Sequence, residues 1–508
     1  MTSPTPTVTE PSPTPMPPRV ARLSPAPVLG ILAGAAVAAI ALGATAGPQL
    51  QTVSSVWSGD ETLAESILTL PGGLDGFRSL SVAEIGPDGA VFAGLGDADP
   101  AHPGAPGPDT VFELGSITKT FTGALFADAI ERGEVTADDR LAQHLPELEG
   151  TAAGDVTLAS LSQHSSGLPG LGATASEGAV SSLLLNENAY AASTTAQLVA
   201  DAAIAPVDPD QGVVYSNFAV SLLGTALAEA AGADDYAALL SARLTEPLGM
   251  EHTVIAATAE EVPSDAVPGF LLNGTPAPRW WGEGYLPAGS STFTTASDLV
   301  IWAQANLDGT APGAAALDPT AGMGPEGEIG WGWITSPSFD GAGTQTWHNG
   351  GTAGFRTILT MDREAGTAFI ALSNTVATVD YVAVSYIAGV PIPGPAEPYL
   401  LLGWGVFGIA VLLGAGALVR ALRAKALLPS ISDLVWALAA LLLLWHSGPW
   451  FAVSGWLWGI ALAPSLAAVG LLALRGRSLP FLPARRRWLW WPTAAIGLVA
   501  AVGVVFLW

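Results

Sequence analysis

The 508-residue chain carries 18 Lys and Arg against 44 Asp and Glu, a net charge of −26, and no cysteine. This excludes disulfides, thiolate catalysis and cysteine-bound metal, and so acidic a chain is a poor ligand for nucleic acid. Half of its residues are hydrophobic and the mean hydropathy is positive, which points to membrane, while the length calls for two or more folded parts.

Residues 1–27 are rich in Pro and Thr, cannot bury a core and are expected to be disordered. Residues 28–47 form an uncharged apolar run long enough to cross a bilayer. The Ala44-Thr45-Ala46 sequence that closes it resembles a signal-peptidase site, so the run is a cleaved signal or an anchor. Its length favours the anchor. Either way the following residues lie outside the cytoplasm.

Residues 48–390 hold 8 Lys and Arg against 41 Asp and Glu, and read as a globular segment of roughly 55–385. Alternating runs over 80–96 flank Pro87-Asp88-Gly89, a hairpin signal. Apolar residues Ile117, Phe121, Ala124, Leu125 and Phe126 recur at helical spacing, and Gly133 marks a stop. Two more β-rich runs follow at 355–361 and 367–374. Strands at both ends of the segment with helices between them predict one antiparallel sheet flanked by helices.

A Pro-rich linker over 386–398 precedes four apolar runs, 399–419, 431–450, 451–474 and 488–508, each near the length of a membrane helix. Ten of the 17 tryptophans fall there, many at run ends, as interfacial anchors do. With 48–390 outside, alternating passage brings Arg420, Arg423 and Lys425 to the cytoplasm. Arg475, Arg477 and Arg485–Arg487 land on the same side, as do Arg19 and Arg22. That is the side the positive-inside rule requires. A multi-pass protein of the cell membrane with an extracytoplasmic domain is the expected arrangement, with the lipid bilayer as a partner.

The chain has only two lysines, Lys119 and Lys425. Lys119 lies three residues after Ser116, on the same face of the predicted helix. Serine is a weak nucleophile until a base takes its proton. A lysine whose amine is desolvated can be that base, whereas arginine cannot be deprotonated at ordinary pH. A helix start also offers free backbone N–H groups to an oxyanion. A capping serine before a solvated lysine would give the same spacing, so the pair needs company.

It has company in Tyr215-Ser216-Asn217 and His348-Asn349-Gly350. With Ser116-x-x-Lys119, these triplets resemble those of the serine beta-lactamase and penicillin-binding protein superfamily. The class C beta-lactamase-related branch is closest, and 161–169 (LSQHSSGLP), 246–253 (EPLGMEHT) and 288–298 (AGSSTFTTASD) resemble it too. The resemblance implies an α/β (α+β) domain, an antiparallel sheet with an added helical part, here followed by an all-α transmembrane region. It implies Ser116 as the acylated nucleophile, and Lys119 and Tyr215 as a coupled base pair. Asn217 would hydrogen-bond Lys119 and substrate, with His348, Asn349, Gly350 and Gly351 in the substrate site. The N–H groups of Ser116 and Gly351 would form the oxyanion hole. His164 is read as part of a structural turn, and Trp280-Trp281 as either cleft-lining or core.

One departure bears on substrate. Asn349 stands where the family commonly has a hydroxyl that helps hold the substrate's carboxylate, and no lysine lies nearby. This argues against an efficient beta-lactamase. The expected function is a membrane-anchored serine hydrolase acting through an acyl-enzyme on an amide or ester, with cell-wall stem peptides as candidate substrates for cleavage of the D,D-peptidase or D-aminopeptidase type. An esterase, a non-catalytic receptor coupled to the helices, and a channel with an accessory domain are the alternatives. No cofactor is implied, and six scattered histidines build no metal site.

Overall fold

A computed structural model describes residues 24–394, 397–450 and 453–482. Most of the Pro/Thr-rich tail, the fourth C-terminal run and Arg485–Arg487 lie outside the described residues.

The strands are β1 (Trp57–Gly59), β2 (Ser79–Gly86), β3 (Gly89–Gly96), β4 (Phe112–Glu113), β5 (Val254–Ile255), β6 (Thr292–Thr294), β7 (Ala321–Gly322), β8 (Glu328–Ile329), β9 (Ile334–Pro337), β10 (Thr344–Gly351), β11 (Arg356–Asp362) and β12 (Thr367–Ser373). Nine form one antiparallel sheet in the order β1-β3-β2-β12-β11-β10-β9-β8-β7, and β4-β6-β5 form a small second sheet. The predicted hairpin is β2–β3, and β2 pairs with β12 from Ala368↔Ile85 to Ser373↔Leu80. Both ends of the segment thus meet at the middle of the sheet, as expected.

Successive strand side chains face opposite sides, and the sheet is apolar on both. Ala83, Ile85, Leu359 and Ile370 face a large core with Phe121, Leu222 and Trp302. Leu80, Val82, Ile358 and Phe369 face a smaller one with Leu63, Ile67 and Val382. The larger core holds the helices Thr118–Glu131, Asn217–Ala231 and Ala296–Leu307. Both sides being covered, the sheet is held rigidly, and so is the edge of β10 where the site lies.

Four helices are long and apolar enough to cross a membrane: Pro25–Ala46, and three running through 401–422, 427–447 and 456–475. The second of these C-terminal helices stops at Ser447, and the next starts at Trp456. Gly448-Pro449 breaks the chain between them, since proline cannot continue a helix and disfavours it in the preceding residue. The Pro25–Ala46 helix packs on Trp456–Arg475 through glycine. A Cβ on Gly43 would lie 2.7 Å from the Gly455 carbonyl oxygen, and one on Gly459 only 2.4 Å from that of Ala39. Small residues allow such approach between apolar helices. Arg475 is buried, and its guanidinium donates to the carbonyls of Ala421, Leu422 and Ala424 at 2.9–3.0 Å. It thereby caps the C-terminus of the Glu397–Leu422 helix.

The sheet domain touches the helices at Asn273. Its carbonyl accepts from the Gln49 N–H at 3.0 Å, and its Nδ2 donates to the Trp445 carbonyl at 3.5 Å.

Candidate active site

Ser116 sits on a single 3-10 turn, Gly115–Ile117, between β4 and the Thr118–Glu131 helix. The sequence predicts one continuous helix here; the turn tightens its start and sets the Ser116 backbone against the end of β10. Gly115 makes the turn possible. Its φ of +66° suits glycine, and a Cβ would meet the Gly351 nitrogen at 2.6 Å. A Cβ on Gly350 would lie 2.2 Å from the Leu114 carbonyl oxygen and 3.1 Å from the Ser116 nitrogen. The turn and the end of β10 are therefore in direct backbone contact, with the nitrogens of Ser116 and Gly351 close together.

Lys119 is 1% exposed. Its Nζ lies 2.9 Å from Ser116 Oγ and donates to the Ala288 carbonyl at 2.7 Å. Burial pushes the amine well below its ordinary 10.5, and among the described residues no carboxylate forms an ion pair with it within 4.0 Å. A neutral amine has a lone pair, so the short contact can run from the Ser116 hydroxyl to Nζ.

Tyr215 precedes the Asn217–Ala231 helix. As a residue it is 44% exposed, and its phenol neighbours the Ser116 side chain. Burial raises the phenol, and the nearby Ser116 hydroxyl opposes the rise. Nζ of Lys119 lies 4.8 Å from the ring centroid. His164 clamps the tyrosine: its carbonyl accepts from Val214 N at 2.8 Å, its Nδ1 from Ser216 N at 3.2 Å, and its ring lies 4.5 Å from that of Tyr215. The turn expected at His164 is present, with φ of +59°. Its role as a clamp has no sequence signal, because it depends on a segment about fifty residues downstream. His348 is buried, its Nδ1 donating to the Asn349 carbonyl at 2.5 Å. Burial holds both imidazoles down at about 3, so both are neutral.

Two predicted residues are engaged otherwise than expected. Asn217 makes no hydrogen bond to Lys119; its side chain neighbours the Tyr190 phenol, and its Oδ1 has no partner. Asn349 donates from Nδ2 to Asp380 Oδ1 at 2.6 Å. Sequence spacing gave no sign of Asp380, because it enters from the helix Asp380–Ala388 on another layer.

Beyond Gly351 lies a cavity of about 430 Å³, lined by Trp280, Asn349, Thr352, Arg356, Thr378 and Asp380 among others. Trp280 therefore lines the site, whereas Trp281 packs in a small core with Val111 and Phe293. Glu113 is 2% exposed behind this cavity and accepts from the Trp280 N–H at 3.2 Å. Burial pushes its carboxyl up to about 7, opposed by the neighbouring Thr352 hydroxyl. That hydroxyl and Glu113 Oε2 face each other without a hydrogen bond of normal length. A lone acid at the end of an apolar strand, three residues before the serine, was the available signal for Glu113. No group of side chains fit to hold a metal ion occurs among the described residues.

The beta-lactamase family model matches residues 71–388. The chain belongs to the beta-lactamase family. It is 28% identical over 193 residues to the D-alanyl-D-alanine-carboxypeptidase/endopeptidase AmpH of Escherichia coli, covering 37% of this chain and 47% of that protein. An Escherichia coli beta-lactamase is 45% identical over 58 residues, 11% of this chain and 15% of that one. This chain thus spans about half the length of AmpH or less of these curated relatives. The solved beta-lactamase/D-alanine carboxypeptidase of Pseudomonas syringae superposes with a TM-score of 0.53 at 18% identity, over 65% of this chain and 96% of that one. The fold is therefore that of the serine beta-lactamases.

Proposed function

We propose that this beta-lactamase family member is a membrane-anchored serine hydrolase whose catalytic domain, residues 55–385, faces outward and works through an acyl-enzyme. The observation that carries this reading is the 2.9 Å contact between Ser116 Oγ and a buried Lys119 amine with no anionic partner. A base must be neutral to accept a proton, and burial without a counter-charge keeps an amine neutral.

The Ser116 hydroxyl gives its proton to Nζ as Oγ bonds to the substrate's carbonyl carbon. The carbonyl oxygen gains the electron pair and takes hydrogen bonds from the N–H groups of Ser116 and Gly351. On collapse the bond to the leaving nitrogen or oxygen breaks, and the Tyr215 hydroxyl supplies its proton, replenished from the Lys119 ammonium. Water then repeats the sequence on the acyl-enzyme and releases the acid. With phenol and amine both in their uncharged forms, Lys119 is the base and Tyr215 the proton carrier. Clamping by His164 keeps that carrier in place. The substrate is an amide or ester, and AmpH's name makes D-alanine-containing peptides the first class to try.

Membrane anchoring is supported by the four apolar helices and by the cationic loops all falling on one side. The Ala44–Ala46 sequence borders glycines packed on the Trp456–Arg475 helix, which supports a retained anchor over a cleaved signal. An intact mass lacking residues up to 46 would overturn that.

The test is labelling of purified full-length protein with a fluorophosphonate. Wild type should label, Ser116→Ala should not, and Lys119→Arg should label at least a thousandfold more slowly while keeping its melting temperature within a few degrees. Near-normal labelling of Lys119→Arg removes the lysine from the mechanism, and none in wild type favours a receptor.

A further inference from the structure

Arg356 and Thr378 line the cavity beside Gly351, and the same two residues line a second cavity of about 610 Å³. A volume of that order encloses a small-molecule ligand. Its walls are chiefly apolar, built from Phe77, Leu272, Val376, Ala377, Tyr381 and Ile392. Asp75 and Arg356 supply its only charges among the described residues. Asp75 is exposed to solvent. Arg356 donates from Nη1 to the carbonyls of Thr352 at 2.8 Å and Phe355 at 2.7 Å, and its charge acts on Asp380 of the cavity beside Gly351. Three walls of the second cavity come from segments that run to membrane helices. Asp75 and Phe77 flank Gly76, whose N–H donates at 3.0 Å to the carbonyl of Gln51, shortly past the Pro25–Ala46 helix. Leu272 precedes Asn273, which meets Trp445 near the end of the Leu427–Ser447 helix. Ile392 lies on the linker to Glu397–Leu422, and its N–H donates to the Pro71 carbonyl at 2.7 Å. All three helix ends are outward ends in the proposed topology, so the cavity lies between the serine and the outer surface of the bilayer.

We propose that this cavity takes the hydrocarbon chain of a membrane-resident amphiphile, so that the preferred substrates are esters or amides whose acyl part is a long alkyl chain. The inference rests on the hydrolase reading, which fixes where the reacting carbonyl sits. Tyr215, the donor to the leaving group, stands at the His348 end of β10, its ring 6.5 Å from that of His348. Both cavities lie at the other end, past Gly351, and Tyr215 lines neither. His348 and Gly351 are about 10 Å apart along the strand. The leaving group therefore departs toward Tyr215, and the acyl part extends past Gly351, between Arg356 and Thr378. An alkyl chain there exchanges lipid for apolar walls at little cost. A peptide would bring polar backbone against walls that offer it few partners, which is unfavourable.

The experiment compares two fluorophosphonates that differ only in the alkyl chain on phosphorus, ethyl or dodecyl, on the full-length protein in phosphatidylglycerol nanodiscs. In each reaction Ser116 Oγ bonds to phosphorus, the hydroxyl proton passes to Lys119 Nζ and fluoride leaves. The dodecyl probe should label at least tenfold faster. Val376→Trp, which fills the cavity, should bring the two rates within threefold. Ile392→Asp, which sets a charge among the apolar walls, should do the same and serves if the first variant fails to fold. Equal rates in the parent protein overturn the proposal and leave the hydrolase reading intact. A dodecyl preference that survives in the folded variants reports lipid partitioning alone and also overturns it. Labelling by neither probe sinks the hydrolase reading and this inference with it.

Discussion

Two regions of this molecule bury ionisable groups, and they do so to opposite ends. In the helical bundle, Arg475 is enclosed but gives its protons to three carbonyls at the end of a neighbouring helix. Every donor direction that matters is met, and the negative end of the helix dipole supplies the counter-charge. In the sheet domain, Lys119 and Glu113 are enclosed and, among the described residues, neither forms an ion pair within 4.0 Å. A satisfied buried charge is architecture. An unsatisfied one is a group whose proton is available, at the cost of stability.

The largest expected effect is on reactivity. The rate of Ser116 labelling should fall tenfold per pH unit once the medium drops below the Lys119 pKa, since the ammonium has no lone pair to offer. An acid-independent rate would mean that the amine is not the base. Next, Arg475→Leu should destabilise the bundle by about 2–4 kcal/mol, because three buried carbonyls lose a charged donor, with labelling of Ser116 unchanged. A neutral result in detergent unfolding would erase the contrast between the regions.

Removing the charge at Glu113 should have the opposite sign. Its carboxyl titrates near 7 when folded against an ordinary 4.5, so the native state holds the proton more tightly than the unfolded chain. The stability penalty is absent below 4.5, grows as pH rises through 7, and is constant above it, at about 3 kcal/mol. Glu113→Gln should therefore raise the unfolding free energy at pH 8 by roughly that amount and leave it unchanged at pH 4. The smallest effect is expected at Gly43→Ala, where a methyl group must enter a contact of 2.7 Å. A loss of about 1–2 kcal/mol is expected from overpacking.

Much of the sheet and site was readable from residues close in sequence or held in recognisable triplets. Ser116 and Lys119 meet because they are one turn apart, and the hairpin over 80–96 forms because its alternation and its turn agree. What escaped was set by layers meeting. Asn349 turns to Asp380 because the Asp380–Ala388 helix packs on β11 and β12 and brings Asp380 beside the end of β10, and no local pattern encodes that. Asn217 finds Tyr190 in place of Lys119 for the same kind of reason, and the fourth C-terminal run lies outside the described residues. The boundary between the second and third C-terminal runs was misplaced because hydropathy alone ignores Gly448-Pro449, which ends the helix at Ser447.

The catalytic domain is tied at both ends. It follows the Pro25–Ala46 helix directly, and residues 389–396 join it to Glu397–Leu422. Those eight residues reach about 28 Å at full stretch, and Asn273 rests against Trp445 besides. With the helices in a bilayer, as proposed, Ser116 is moored at a set height, and only a substrate that comes within that reach of the lipid surface meets it.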